Sequence, residues 1–219
     1  MSPRVSEEHL RQRRANIMRA ATEVFIEQGY EQTSMKHIMD AAGVSRGGLY
    51  QYFSNKEDLF EAILEDVLDD EAETVQEMLE KTESHWDLLM QLMFGEGGDP
   101  DTEMDPLAPS KLEYFITGRK NGRRLEYGRK RYEAGVQLYA GVIQAGQEAG
   151  EFSGRFDSEL LARSIITFID GLALEDAILP KQAVQLEAQS RLFVDYLKMA
   201  MKGAPEKPET ITEKQQSGT

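Results

Sequence analysis

Residues 33–60, TSMKHIMDAAGVSRGGLYQYFSNKEDLF, constrain the fold more tightly than any other stretch of the chain. Ser34 can cap a short helix from Met35 to Ala41 that turns Met35, Ile38 and Met39 inward. Gly43 supplies the positive φ that a tight turn needs, and Ser45 can cap a second short helix reaching about Tyr52. Two short helices joined by Ala-Gly-Val suit a helix-turn-helix, whose second helix enters the major groove and presents its first residues to base edges. Arg46, Gly47, Gly48, Tyr50 and Gln51 lie on that helix. Arginine forks onto guanine and glutamine onto adenine, so Arg46 and Gln51 are candidate base readers. Helix propensity does not account for Gly47 and Gly48, whereas close approach of the backbone to phosphate or base does. Tyr50, Tyr52 and Lys56 offer hydroxyl and ammonium donors to phosphates, contacts that position a protein without specifying sequence. Plainer readings stand beside these: Leu49, Tyr52 and Phe53 as core, and Arg46 as a solvated charge.

The rest of the chain repeats apolar residues at helical spacing. Leu10, Ile17, Ala21, Val24 and Phe25 mark a first helix to about Gln28, ended by Gly29-Tyr30. Ser54-Asn55-Lys56-Glu57 has the form of a capping box and opens a fourth helix with Phe60, Ile63, Leu64, Val67, Leu68, Val75, Met78 and Leu79 on one stripe. From residue 55 to 81 it would run roughly 40 Å at 1.5 Å per residue, enough to join a small head to a separate body. Further helices are expected near 86–94, 108–117, 122–149, 157–178 and 181–202, with Gly203, Pro205 and Pro208 stopping the last. The division expected is 1–55 for the head, 56–203 for the body and 204–219 for a polar, disordered tail.

Composition narrows the function. Of 25 Lys/Arg and 39 Asp/Glu, residues 1–60 hold eight of each, so the rest of the chain carries the whole net charge of −14. Such a balance argues against a protein that coats nucleic acid nonspecifically, while a neutral head still binds phosphate if its cations share one face. The absence of cysteine removes disulfides and thiolate metal sites. No apolar run reaches the roughly 18 residues of a membrane span, and the polar N-terminus has no signal-peptide core, so a cytoplasmic protein with no membrane partner is expected. With three scattered histidines, neither a metal site nor a nucleophile–base pair is easily assembled, so no catalysis, metal or cofactor is expected. The acidic loop at 99–105 has Met104 where a calcium loop needs glycine, and Asp170, Glu175 and Asp176 are ordinary carboxylates of an amphipathic helix. The basic stretch Arg119, Lys120, Arg123, Arg124, Arg129, Lys130 and Arg131 can accept an anion or an acidic partner, or simply form a solvated face.

The runs ATEVFIEQGYEQTSM and AAGVSRGGLYQYFSNKEDLF, within a match from about residue 13 to 64, resemble the N-terminal domain of the tetracycline-repressor (TetR/AcrR) family. FIDGLALEDAI at 168–178 resembles the penultimate helix of many members. The resemblance implies an all-α homodimer with a three-helix helix-turn-helix head, joined by a long fourth helix to an effector-binding and dimerisation body. It further implies that Thr33 and Lys36 touch phosphates beside Tyr50, Tyr52 and Lys56, and that Arg46, Gly47 and Gln51 read bases.

A DNA reader alone needs about 60 residues, so the body requires another purpose. One use is a two-fold interface formed by the last two helices, marked by Leu161, Ile165, Phe168 and Leu172 and by Leu192, Phe193, Tyr196 and Leu197. The other is a pocket for a small, largely apolar effector, with Trp86, Met90, Met93, Phe94, Tyr114, Phe115, Tyr132, Tyr139 and Phe168 as candidate lining, although a stripe of this kind is more often core. The expected function is a sequence-specific repressor released from an inverted-repeat operator by that effector. The rival is a constitutive or architectural DNA-binding protein with no effector.

Overall fold

The computed structural model describes residues 7–100 and 103–202; the tail expected at 204–219 lies outside them. Among the described residues there are ten helices and no strand: α1 (Glu7–Gln28), α2 (Met35–Ala42), α3 (Arg46–Tyr50), α4 (Lys56–Leu79), α5 (His85–Phe94), α6 (Ala108–Gly118), α7 (Gly122–Glu148), α8 (Ser158–Ile178), α9 (Lys181–Val184) and α10 (Leu186–Met201). The all-α expectation holds, and most boundaries fall where caps were legible. Ser34 accepts from the His37 amide, Asp157 from the Leu160 amide, and Gly43 closes α2 at φ 63°. Asn55, rather than Ser54, caps α4, its side chain accepting from the Asp58 amide at 2.7 Å.

The expected last helix is two. Gln185 takes a left-handed conformation at φ 49°, breaking the chain between α9 and α10. Its neighbour Gln189 spans the break, donating to the Val184 carbonyl at 2.6 Å and to Glu175 at 2.7 Å. A left-handed glutamine is held by such surroundings and not by intrinsic preference.

Two apolar cores form. The first gathers Ile17, Phe25, Ile38, Leu49 and Phe53 with Leu59, Phe60, Ile63 and Leu64 of α4, and also takes Leu107 and Tyr114 from the α6 region. A boundary at residue 55 therefore runs through this core: the opening turns of α4 belong to the head. The second core centres on α7, where Val136, Ala140 and Ile143 meet Val75 of α4, Leu88 and Leu89 of α5, Ile165 of α8, and Val194 and Leu197 of α10.

Glu151, in the α7–α8 connection, caps α5 from a distance in sequence. Its carboxylate accepts from the His85 and Trp86 amides at 2.8 and 2.9 Å and meets the His85 ring at 2.9 Å. Partial burial pushes the Glu151 carboxyl up, but the two amides and the imidazole outweigh it and hold it below the usual carboxylate range. A depressed carboxyl stabilises the fold above its unfolded titration range, and that contribution disappears as pH falls through the folded value. Glu151→Ala should cost about 1–2 kcal/mol at neutral pH, and urea titrations should show the gap to wild type narrowing in acid.

Candidate functional site

The head places α3 on the surface by burying one side chain. Leu49 is wholly buried, and Ser45 caps the helix by accepting from the Gly48 amide at 3.2 Å. Arg46, Gly47, Tyr50 and Gln51 consequently face solvent, with the Arg46 guanidinium over the Tyr50 ring at 5.4 Å. A Cβ placed on Gly47 would meet no atom within 4 Å, so nothing inside the fold requires a glycine there. Lys36 on α2 is exposed as well. Arg13 is a residue the sequence reading missed: from α1 its guanidinium reaches within 3.4 Å of the Cβ position of Gly48, adding a cation beside α3. The only trace of it in the sequence is its place in the run RQRR on the polar side of α1.

Three other candidates are occupied internally. Thr33 is buried, and its hydroxyl donates to the Gly29 carbonyl at 2.7 Å, so it steadies the α1–α2 turn. The Lys56 ammonium donates to the Tyr30 carbonyl at 2.6 Å and lies over the Tyr30 ring at 4.2 Å. Burial pulls its pKa down. Tyr52 packs partly buried against the head core. Ser45 remains exposed while its hydroxyl serves the cap.

Head and body are joined by a polar and aromatic knot. The Tyr114 hydroxyl donates to Glu61 at 2.5 Å, and Arg123 donates to both Asp58 and Glu61 at 2.6 and 2.7 Å. The Arg124 guanidinium donates to the Tyr114 carbonyl and to Thr117, and stands over the rings of Tyr30 and Tyr114 at 4.9 and 4.2 Å. Arg131 donates to the Leu64 carbonyl at 2.6 Å. Of the basic stretch at 119–131, Arg123, Arg124 and Arg131 thus fasten α7 to the head, while Arg119, Lys120, Arg129 and Lys130 stay exposed.

The body encloses a partly open cavity of about 1450 Å³ between α4, α5, α6, α7 and α8. Of the expected lining, Met93, Phe94, Phe115, Tyr132, Tyr139 and Phe168 face it, while Trp86, Met90 and Tyr114 do not. Trp86 packs against Phe152 and under Lys198, Met90 is core, and Tyr114 belongs to the knot, ringed by Tyr30, Phe60, Phe115 and Tyr127. The sequence reading also missed two carboxylates in the cavity wall, Glu71 and Asp170.

Most of the side chains expected to pair copies are turned inward. Leu161, Ile165, Leu172 and Leu197 are buried within the body, and Phe193 stacks on Phe168 at 3.9 Å. Only Leu192 and Tyr196 of that set are exposed; the neighbouring apolar surface is Leu160, Leu174 and Ile178 on α8 and Met199 on α10. No described helix is long and apolar enough to cross a membrane.

Comparison with known proteins meets both halves of this architecture. Residues 17–63 match bacterial regulatory proteins of the tetR family, and residues 100–187 match the tetracyclin repressor-like C-terminal domain. An uncharacterised helix-turn-helix regulator of Bacillus subtilis, YfiR, is 34% identical over 177 residues, covering 78% of this chain and 83% of its own. The regulator TtgR of Pseudomonas putida is 26% identical over 215 residues, covering 88% and 92%. Among solved structures, Salmonella enterica GusR superposes with a TM-score of 0.70 at 23% identity, over 91% of this chain and 99% of its own. Bacillus subtilis FadR in complex with stearoyl-CoA superposes with a TM-score of 0.62 at 21% identity, over 86% and 99%. A helix-turn-helix head, a helical body, and a relative aligned over most of both chains lead to one conclusion: this chain belongs to the tetR family of DNA-binding transcriptional regulators.

Proposed function

We propose that the protein is a repressor that binds an inverted-repeat operator as a homodimer and is released when a small, largely apolar molecule fills the body cavity. The observation that carries this reading is Arg124, which lines the cavity and is also packed over Tyr30 and Tyr114 of the head core. A ligand that displaces α6 or the start of α7 therefore acts directly on the side chains that set the head's orientation. Such a ligand shifts the equilibrium by its differential affinity for the two arrangements and by nothing more. In this reading Arg46, Gly47 and Gln51 meet base edges, and Arg13, Lys36 and Tyr50 meet phosphates. Bacillus subtilis FadR, which shares this fold, was solved in complex with stearoyl-CoA, a molecule with a long apolar chain.

Two heads on one operator require a fixed separation of roughly 34–36 Å or a multiple of it. The unpartnered apolar surface of α8 and α10 is the natural pairing face. The double variant Ile178→Asp/Leu192→Asp should sediment as a monomer and lose operator affinity by about a hundredfold or more, because the second head no longer binds as part of one molecule.

The test of release is direct. Compounds that raise the protein's Tm are added to a protein–operator complex followed by fluorescence anisotropy. Release by such compounds supports the reading. Operator binding unchanged by every compound that stabilises the protein would instead favour the constitutive DNA-binding alternative.

A further inference from the structure

The charges lining the cavity divide into those already partnered and those left over. Lys111 pairs with Asp105 at 2.5 Å, Lys130 with Glu126 at 2.9 Å, and Glu133 with Arg163 at 2.9 Å. Arg124 and Arg131 are committed to the carbonyls of Tyr114 and Leu64. Among the described lining residues, the charged groups with no hydrogen bond or ion pair are Asp70, Glu71, Glu96, Glu103, Asp170 and Arg129: five carboxylates against one cation.

Glu71 and Asp170 occupy the most informative positions. They come from α4 and α8, and both interact electrostatically with the Tyr139 hydroxyl, which itself donates to the Leu92 carbonyl at 3.0 Å. Around them the wall is apolar, with Val75, Met78, Phe115, Leu138 and Ile169 among its residues. The surface these two carboxylates expose is therefore, at least in part, surface of the cavity. Burial pushes both carboxyls up, against the partial opposition of Lys111 for each and of Arg131 for Glu71. Both side chains are accessible to solvent and neither has a hydrogen-bonding partner among the described residues, so a cation entering the cavity displaces water from them and no protein group.

We propose that the effector of this cavity is a lipophilic cation, held by Glu71 and Asp170 from opposite helices with its apolar body against the surrounding side chains. This rests on the reading of the cavity as the effector site and assigns that effector a charge. An amphipathic anion finds the reverse of what it needs, because all but one of the lining cations are already engaged within the fold.

Tetraphenylphosphonium and tetraphenylborate have nearly the same shape and opposite charge, which makes them suitable probes. Calorimetric titration of the full-length protein should give a phosphonium affinity at least about tenfold above that for the borate. In the double variant Glu71→Gln/Asp170→Asn the preference should disappear through weakening of the phosphonium alone, by about tenfold or more. The same variant should match or exceed the wild-type Tm without ligand, which shows that it is folded. Equal or tighter binding of the borate, a preference that survives in the double variant, or binding of neither ion overturns the proposal. Operator release by tetraphenylborate and not by the phosphonium would sink the charge assignment and leave ligand-released repression standing. Failure of both ions and of every stabilising compound to move the operator equilibrium would count against repression itself.

Discussion

Tyr114→Ala should be among the most damaging single substitutions in the chain, costing about 3–5 kcal/mol, and should also loosen the head from the body. Tyr114 is wholly buried, with the rings of Tyr30, Phe60, Phe115 and Tyr127 around it at 4.9, 5.1, 5.4 and 6.2 Å. Truncation opens a cavity there and leaves Glu61, itself nearly buried, without its shortest partner. Since whole domains are stable by only about 5–15 kcal/mol, that loss is a large share of the total. Tyr114→Phe isolates the hydroxyl. Glu61 keeps Arg123 at 2.7 Å in that variant, so the cost should fall to about 1–2 kcal/mol. Urea denaturation of both variants separates the two contributions. Equal losses would mean that the hydroxyl, and not the ring, holds the junction.

Arg46→Ala should do the opposite: leave stability within about 0.5 kcal/mol of wild type and reduce operator affinity by about 1–3 kcal/mol, with relaxed preference at one base position. The guanidinium is solvent-exposed and, among the described residues, has only the Tyr50 ring beside it, so the fold loses little when it is removed. Gly47→Ala sharpens the contrast. An exposed helical glycine replaced by alanine should stabilise the head by up to about 1 kcal/mol, and the added methyl meets nothing among the described residues. If α3 lies against DNA there, the same methyl intrudes on the duplex and affinity falls while Tm rises. A Gly47→Ala protein that binds operator as well as wild type would place the DNA surface elsewhere.

Much of this architecture was legible because its signals are local. Ser34, Gly43 and Ser45 are chosen for single backbone tasks, and each performs the expected one. The stripe of α2 and the buried Leu49 follow from spacing alone. What escaped depends on partners distant in sequence. α8 is apolar on two sides, so the spacing of Leu161, Ile165 and Leu172 marks a stripe without saying whether it meets the chain's own core or an unpartnered face; it meets the core, and Leu160, Leu174 and Ile178 lie outside. Tyr114 has the composition of a pocket residue and the position of a junction residue, a distinction made by Glu61 and Tyr30 far up the chain. Lys56 offers a phosphate donor in sequence, but folding brings the Tyr30 carbonyl to it first. Glu71 and Asp170 read as ordinary acids on amphipathic helices, and only the cavity between their helices gives them significance.

Recognition of a defined DNA sequence by this head, on behalf of the body behind it, can be tested without knowing the effector. The most direct measurement is selection of genomic fragments by the purified protein at moderate salt, followed by sequencing and titration of the best fragment. The expected winner is an inverted repeat with half-sites about one helical turn apart, bound by two chains and outcompeting excess random DNA. Fragments with no shared motif, whose binding simply fades as salt rises, would contradict it.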